Sequence, residues 1–211
     1  MFMKTKLLFV MVLFNFSLLF AQERKMNTTE IEKFKKDIIA DSKKIQTLTA
    51  DFTQYKVMSF LEKPIVSKGK LYLQNPKAMR WNYSQPIDYN VIFNNGKIYI
   101  NDEGKKSSVD LQGNKKFEKL NQLIVGSVSG NLFSTNDFVL SFLKTDHARI
   151  AVLQPKMKDI KKYIKEIQLT FYDGQSTVTE VKLIEPSNDY TKILFTNKIL
   201  NKTINASVFN P

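Results

Sequence analysis

The sequence predicts an α+β fold, mainly antiparallel β, in which one long sheet is preceded by a helix and interrupted midway by helical segments. Three observations predict it. Apolar residues recur at near-four spacing only as far as Leu48. From Ala50 the period drops to two, with turn residues between the alternating runs. Helical spacing returns between Lys115 and Leu143, and alternation then resumes to the C-terminus.

The chain opens with an export-type leader. Met1–Lys6 carries two lysines and no acid, Leu7–Phe20 is apolar except for Asn15 and Ser17, and Ala21 supplies a small residue for cleavage before Gln22. The apolar run is shorter than the roughly 20 residues a bilayer span requires. Residues 1–21 are therefore expected to be a removed leader, and 22–211 one domain. No cysteine stands at the cleavage point to carry a lipid anchor.

After a polar stretch at 22–29, Thr28 or Thr29 can cap a helix, with Glu32 completing a capping box for Thr29. Ile31, Phe34, Ile38, Ile45 and Leu48 then place an apolar stripe on a helix over about 30–47. Strands are expected at 68–74, 79–83, 89–93 and 98–100. Asn94-Asn95-Gly96 marks a tight hairpin between the last two, and Asp102–Lys105 marks a second turn. Phe117, Leu120, Ile124 and Val128 share a helical face, and Thr135–Asp137 can cap a short helix carrying Phe138, Leu140 and Phe142. Strands follow at 147–154, 165–172, 177–184 and 191–196, with one more expected at 204–209.

Composition narrows the function. Without cysteine the chain has no disulfide, thiol nucleophile or thiolate metal site. The single histidine, His147, follows Asp146, and neighbours on a strand point to opposite faces, so the two do not form a catalytic pair. Gly126-Ser127-Val128-Ser129-Gly130 lacks the central serine of a nucleophile elbow. No phosphate loop, dinucleotide fingerprint or zinc spacing occurs. No enzyme activity, cofactor or metal is expected. The net charge is +12, two less once Lys4 and Lys6 leave with the leader, and arginine stands only at 24, 80 and 149. In an exported protein this charge suits membrane headgroups or an acidic protein surface better than nucleic acid. The lysines are spread along the chain, which favours plain solubility over a dedicated binding patch.

A long antiparallel sheet with one polar face must curl or stack to bury the other, and aromatic residues are 12% of the chain. Periodicity alone leaves two outcomes open, a filled core or a cavity.

Two stretches carry a family resemblance. Ala50-x-Phe52-x-Gln54 follows the first helix. Then come Gly69-x-Leu71 running to Pro76, Met79-Arg80-Trp81-Asn82-Tyr83 running to Pro86, and the Asn-Gly hairpin. In order and spacing this resembles the LolA family of periplasmic outer-membrane lipoprotein carriers. The turn at Asp173-Gly174, Thr191-x-Ile193-x-Phe195, Asn197, Asn201 and Phe209 extend the likeness over most of the mature chain.

The resemblance implies an unclosed half β-barrel, with an N-terminal helix and a helical lid covering an apolar concave face that shelters acyl chains. It implies acylated lipoproteins as cargo, an inner-membrane ABC-type release complex as donor and an outer-membrane acceptor, with the carrier a monomer in the periplasm. Family members carry an arginine before the strand-ending proline that helps hold the lid. Here that position is Asn75, and Arg80 on the next strand is the alternative latch or partner contact. The expected cavity wall is Phe52, Leu71, Leu73, Met79, Trp81, Tyr83, Val91, Phe93, Ile98, Ile100, Leu169 and Phe171. The expected lid is Leu120, Ile124, Val128, Phe138 and Phe142. A slip of one residue in strand phase would swap a strand's whole set. A lipid-sensing regulatory module on the same half-barrel is the alternative reading, since both roles bind acyl chains.

Overall fold

A computed structural model describes residues 23–75, 78–110 and 137–211. Among them, twelve strands form one antiparallel sheet in the order β1-β8-β9-β10-β11-β12-β2-β3-β4-β5-β6-β7. The strands are β1 Arg24–Lys25, β2 Thr47–Val57, β3 Ile65–Gln74, β4 Ala78–Gln85, β5 Tyr89–Asn94, β6 Lys97–Asp102 and β7 Lys105–Asp110, followed by β8 Phe138–Lys144, β9 Ala148–Pro155, β10 Glu166–Tyr172, β11 Glu180–Ile184 and β12 Tyr190–Leu200. Strands β1 and β7 end the order without pairing to each other, so the sheet is unclosed.

Helix α1 spans Thr28–Ser42, shorter than its apolar spacing predicts. Asn27, not Thr28 or Thr29, is the N-cap, and its side chain accepts from the Glu30 N–H at 2.9 Å while Glu30 accepts from the Asn27 N–H at 3.0 Å. Two offset capping boxes exist in the sequence, Asn27–Glu30 and Thr29–Glu32. The first is selected because Glu30 also accepts from Arg24 at 2.8 Å and Lys144 at 2.6 Å. That fixes the helix start against β1 and β8, which pair at Arg24–Lys144 and Lys25–Leu143. The polar residues before the helix thus form a strand too short for periodicity to show. At the other end the chain leaves the helix after Ser42, and Ile45 and Leu48 join a different part of the core.

Two further expectations change. Phe138–Lys144 is strand β8, not a helix, because Phe138, Leu140 and Phe142 stand two apart, and Phe138 and Phe142 are buried while Val139 is exposed. Residues 206–209 form a 3-10 turn instead of a last strand. The expected hairpins are present, with Asn95-Gly96 and Glu103-Gly104 each at positive φ on both residues. The four-residue helix α2, Lys158–Lys161, links β9 to β10.

Register places the apolar alternation of β2–β6 and β8–β12 on one face. One row runs Phe142, Ala151, Leu169, Val181, Ile193, Gln54, and another runs Ala50, Leu71, Trp81, Val91, Ile100. Helix α1 lies on the first half, where Phe34 and Ile38 pack with Phe138, Phe142, Leu153, Leu169 and Phe171. The second half, β2 to β6 with Phe195 of β12, forms its own cluster. Val181 packs against both. On the opposite face, the C-terminal turn covers β4 and β5: Arg80 donates to the Val208 carbonyl at 3.0 Å, Asn94 donates to the Phe209 carbonyl at 3.2 Å, and Ile92 and Phe209 are buried.

Candidate functional site

The half of the sheet that α1 leaves uncovered curls on itself. Strands β12 and β4 are three places apart, roughly 14 Å in a flat sheet, yet the rings of Phe195 and Trp81 lie 5.8 Å apart. Gly69 on β3 makes room for this. It sits at a register shift opposite Phe52 and Tyr83, and a Cβ there would meet the Asn82 carbonyl oxygen and come within 2.6 Å of the Phe52 ring. Phe52 therefore lies across the glycine, edge-on to Trp81 at 5.0 Å and to Tyr83 at 4.9 Å.

The curl leaves a cleft of about 400 Å³. One wall is Trp81, Tyr83, Tyr89, Val91 and Phe93 from β4 and β5. The other is Val181, Leu183, Thr191, Ile193 and Phe195 from β11 and β12. The lining is almost wholly hydrocarbon and ring, with Thr191 and the tyrosine hydroxyls as its polar groups. The Tyr83 hydroxyl donates to Gln54 Oε1 at 3.0 Å. Burial pushes that phenol up to about 12, with Tyr89 adding to the shift. Tyr83 is therefore neutral at any physiological pH and adds no charge to the cleft.

All the wall positions named from sequence lie on this inner face, but the structure divides them. Trp81, Tyr83, Val91 and Phe93 line the cleft. Phe52, Leu71, Leu73 and Met79 are buried beneath it, with Ile98 and Ile100 packed alongside. Leu169 and Phe171 are in the other half, fully buried under α1. Of the expected lid residues, Phe138 and Phe142 are also packed beneath α1 in β8, while Leu120, Ile124 and Val128 lie outside the described residues. Asn75 donates to the Ile45 carbonyl at 3.2 Å, and its backbone N–H to the Gln46 carbonyl at 2.8 Å, so it ties the start of β2 to the end of β3. Arg80 is on the opposite face from the cleft, donating to Val208 and to Asn82 Oδ1 at 3.0 Å.

The family profile described as "Outer membrane lipoprotein carrier protein LolA" matches residues 43–211. This chain belongs to the LolA family. The outer-membrane lipoprotein carrier protein of Pseudomonas aeruginosa is 27% identical over 167 residues, covering 79% of this chain and 77% of that one. Its counterpart in Legionella pneumophila is 26% identical over 151 residues, covering 67% of this chain and 72% of that one. Among solved structures, an uncharacterized conserved protein from Thermus thermophilus shares the fold with a TM-score of 0.52 at 6% identity, over 86% of this chain and 94% of that one. MucB does so with a TM-score of 0.51 at 8% identity, over 85% of this chain and 62% of that one.

In this LolA-family chain the second wall escaped the sequence reading. Val181, Leu183, Ile193 and Phe195 alternate with Lys182, Lys192 and Leu194, and that signal marks two strands with an apolar face. What it lacks is any sign that β11 and β12 stand opposite β4 and β5, because that pairing of walls joins strands about a hundred residues apart in the chain.

Proposed function

We propose that this protein is an exported carrier that binds the acyl chains of lipoproteins in the cleft between β4–β5 and β11–β12 and shuttles them from the inner to the outer membrane. In this reading residues 22–211 form one carrier domain, secreted to the periplasm behind a leader cleaved near Ala21. An ABC-type release complex in the inner membrane loads it, an acceptor at the outer membrane unloads it, and no bond chemistry is involved. The observation that carries the reading is the cleft itself: an aromatic and aliphatic slot on the open half of a half-barrel whose other half is filled.

The energetics suit a carrier. Each methylene withdrawn from water gains about 0.8 kcal/mol, so a lipid tail is held by hydrocarbon contact alone, without directional bonds that release would have to break. The 400 Å³ slot is near the lower end of the roughly 300–1,000 Å³ typical of small-molecule sites. Seating two or three tails then requires the walls to part, and the cost of parting them offsets part of the burial and keeps the cargo releasable. The match to lipoprotein carriers over most of the chain favours this role over a lipid-sensing module on the same scaffold.

The test uses Trp81, the only tryptophan and a cleft residue. A brominated fatty acyl chain entering the cleft should quench its emission. Val91→Glu and Ile193→Glu alter partly exposed wall positions and should weaken quenching by tenfold or more. Trp81→Glu is the harsher variant, expected to abolish lipoprotein loading, although Trp81 also packs on Phe52 and Phe195. Undiminished quenching in both Val91→Glu and Ile193→Glu would remove the cleft as the acyl site.

A further inference from the structure

The cleft changes from ring and hydrocarbon to polar along its length, and the residue at the step belongs to neither wall. Successive inward residues of β12 are Phe195, Ile193 and Thr191, paired in register with Phe52, Gln54 and Lys56 of β2. The Phe195–Phe52 level, where Trp81 meets both rings, is aromatic throughout. The next level carries Gln54, and the one after it Thr191. Tyr83 and Tyr89 are the last pair of β4 and β5 before their turn, and Leu183 pairs with Thr191 just before the β11–β12 turn. The polar groups therefore gather at the end where these turns lie, the mouth of the cleft.

Gln54 is the polar group that the carrier reading leaves unused. It alternates inward with Ala50 and Phe52 and is partly exposed. Its Oε1 accepts from the Tyr83 hydroxyl at 3.0 Å, and among the described residues its Nε2 group has no hydrogen-bond partner. Tyr83 is itself held between Phe52, at 4.9 Å, and Tyr89, at 5.8 Å between ring centres. The amide is thus fixed by its acceptor end and has two N–H donors to spare.

Charge narrows what those donors meet. No ionisable group other than the two tyrosines lines the cleft. Further toward the rim, on the same face, charges stand in opposite pairs: Lys56 is ion-paired with Glu185, and Asp102 is opposite Lys105 in register. An ionised carboxylate or phosphate drawn in to the level of Gln54 would lose its water without finding a free countercharge, a cost that one neutral hydrogen bond does not offset. A plain hydrocarbon would leave the amide donors unpaired. A neutral carbonyl with a long chain beyond it satisfies both the amide and the rings.

We propose that Gln54, oriented by Tyr83, selects acyl chains joined through an ester or amide, donating to the linkage carbonyl while the chain runs on past Trp81 and Phe195. This deepens the carrier reading and rests on it for the use of the cleft by acyl chains. The carbonyl that Gln54 recognises occurs both in the lipid anchor of a lipoprotein and in a free glycerolipid.

The test is Trp81 quenching by probes with the same brominated chains: a diacylglyceryl-cysteine lipopeptide and its diether analogue, a phosphatidylglycerol pair of the same design, and the free fatty acid at neutral pH. The parent should bind the diester lipopeptide about tenfold more tightly than the diether, as one or two added hydrogen bonds allow, and more tightly than the ionised acid. Gln54→Leu/Tyr83→Phe removes both partners of the existing hydrogen bond together, so neither is orphaned. In that variant the ester-to-ether ratio should fall to near one, whereas a cleft that had merely loosened would bind both probes more weakly and keep the ratio. An ester preference in both pairs assigns the site to acyl esters from either source, and a preference in one pair alone names the source. Equal binding of esters and ethers by the parent, an unchanged ratio in the double variant, or tighter binding of the ionised acid overturns selection by Gln54 and leaves the cleft standing as an acyl site. Quenching by none of the probes overturns the cleft itself, and this inference with it.

Discussion

The two halves of this sheet are built from the same materials and come to different ends. On β8–β10 the inward residues are Phe138, Phe142, Leu153, Leu169 and Phe171, and helix α1 fills the space above them. Phe34 meets Phe171 edge-on at 5.3 Å and Phe142 at 6.0 Å, and the Arg149 guanidinium lies 5.3 Å from the Phe34 ring. On β4–β5 and β11–β12 the inward residues are just as aromatic and aliphatic, but a facing wall of the same sheet takes the place of the helix, leaving a cleft. Aromatic content alone therefore does not decide between a core and a binding slot. Among the described residues, what decides is whether a covering element reaches that part of the sheet, and α1, fifteen residues long, covers only one half.

The largest effect should come from emptying the filled half. Phe34→Ala removes a 1% exposed ring at the centre of the helix–sheet contact and should cost about 3–5 kcal/mol in urea unfolding. Because the contact is remote from β4 and β5, acyl quenching of Trp81 in the folded fraction should hardly change. A large loss of acyl binding at full folding would break the comparison, since it would make α1 a part of the binding apparatus and not merely its support.

Next in size is Gly69→Ala. The added methyl meets the Asn82 carbonyl oxygen, which is backbone and cannot swing aside, and the Phe52 ring that lies across the glycine. The expected cost is about 1–3 kcal/mol, as for other insertions into close packing. Unlike Phe34→Ala, it should also change the cleft, because Phe52 is pressed toward Trp81 and Tyr83. A shifted Trp81 emission with a lowered urea midpoint is the expected pair of readouts. A lowered midpoint with an unaltered emission spectrum would mean that the curl tolerates a side chain at this point.

The sequence made the strands and their phase legible, because alternation is a local property: Leu71-x-Leu73, Met79-x-Trp81-x-Tyr83 and Ile167-x-Leu169-x-Phe171 each point one set of side chains inward, and register joins those sets on one face. The division of that face was not legible. Leu169 and Phe171 have the same pattern as Val91 and Phe93, and only the landing place of α1, a contact between residues more than a hundred positions apart, makes one pair core and the other wall. The β8 error is of a different kind. Its Thr-Asn-Asp preface signals a helix start, yet the spacing of Phe138, Leu140 and Phe142 is that of a strand, and pairing with β9 along the whole segment decides in favour of the spacing.

The smallest effect, and the one that sharpens the comparison most selectively, concerns how the filled half is fastened. Glu30 accepts from Arg24, Lys144 and the Asn27 N–H, so one carboxylate clamps β1, the start of α1 and β8. The hydrogen bond from Arg24, then that from Lys144, then the backbone bond, lower its pKa to about 2. A carboxylate whose pKa is depressed on folding adds stability above its ordinary value of about 4.5, and that stability is lost as pH falls toward 2. Glu30→Gln should therefore lower Tm modestly at neutral pH and flatten the fall in Tm between about pH 4.5 and pH 2. The cleft half contains no matching carboxylate among its lining residues, so Trp81 quenching by acyl chains should be unaffected by Glu30→Gln at neutral pH. If the variant instead follows the parent's acid profile, the clamp contributes nothing, and packing around Phe34 alone fastens α1 to the sheet.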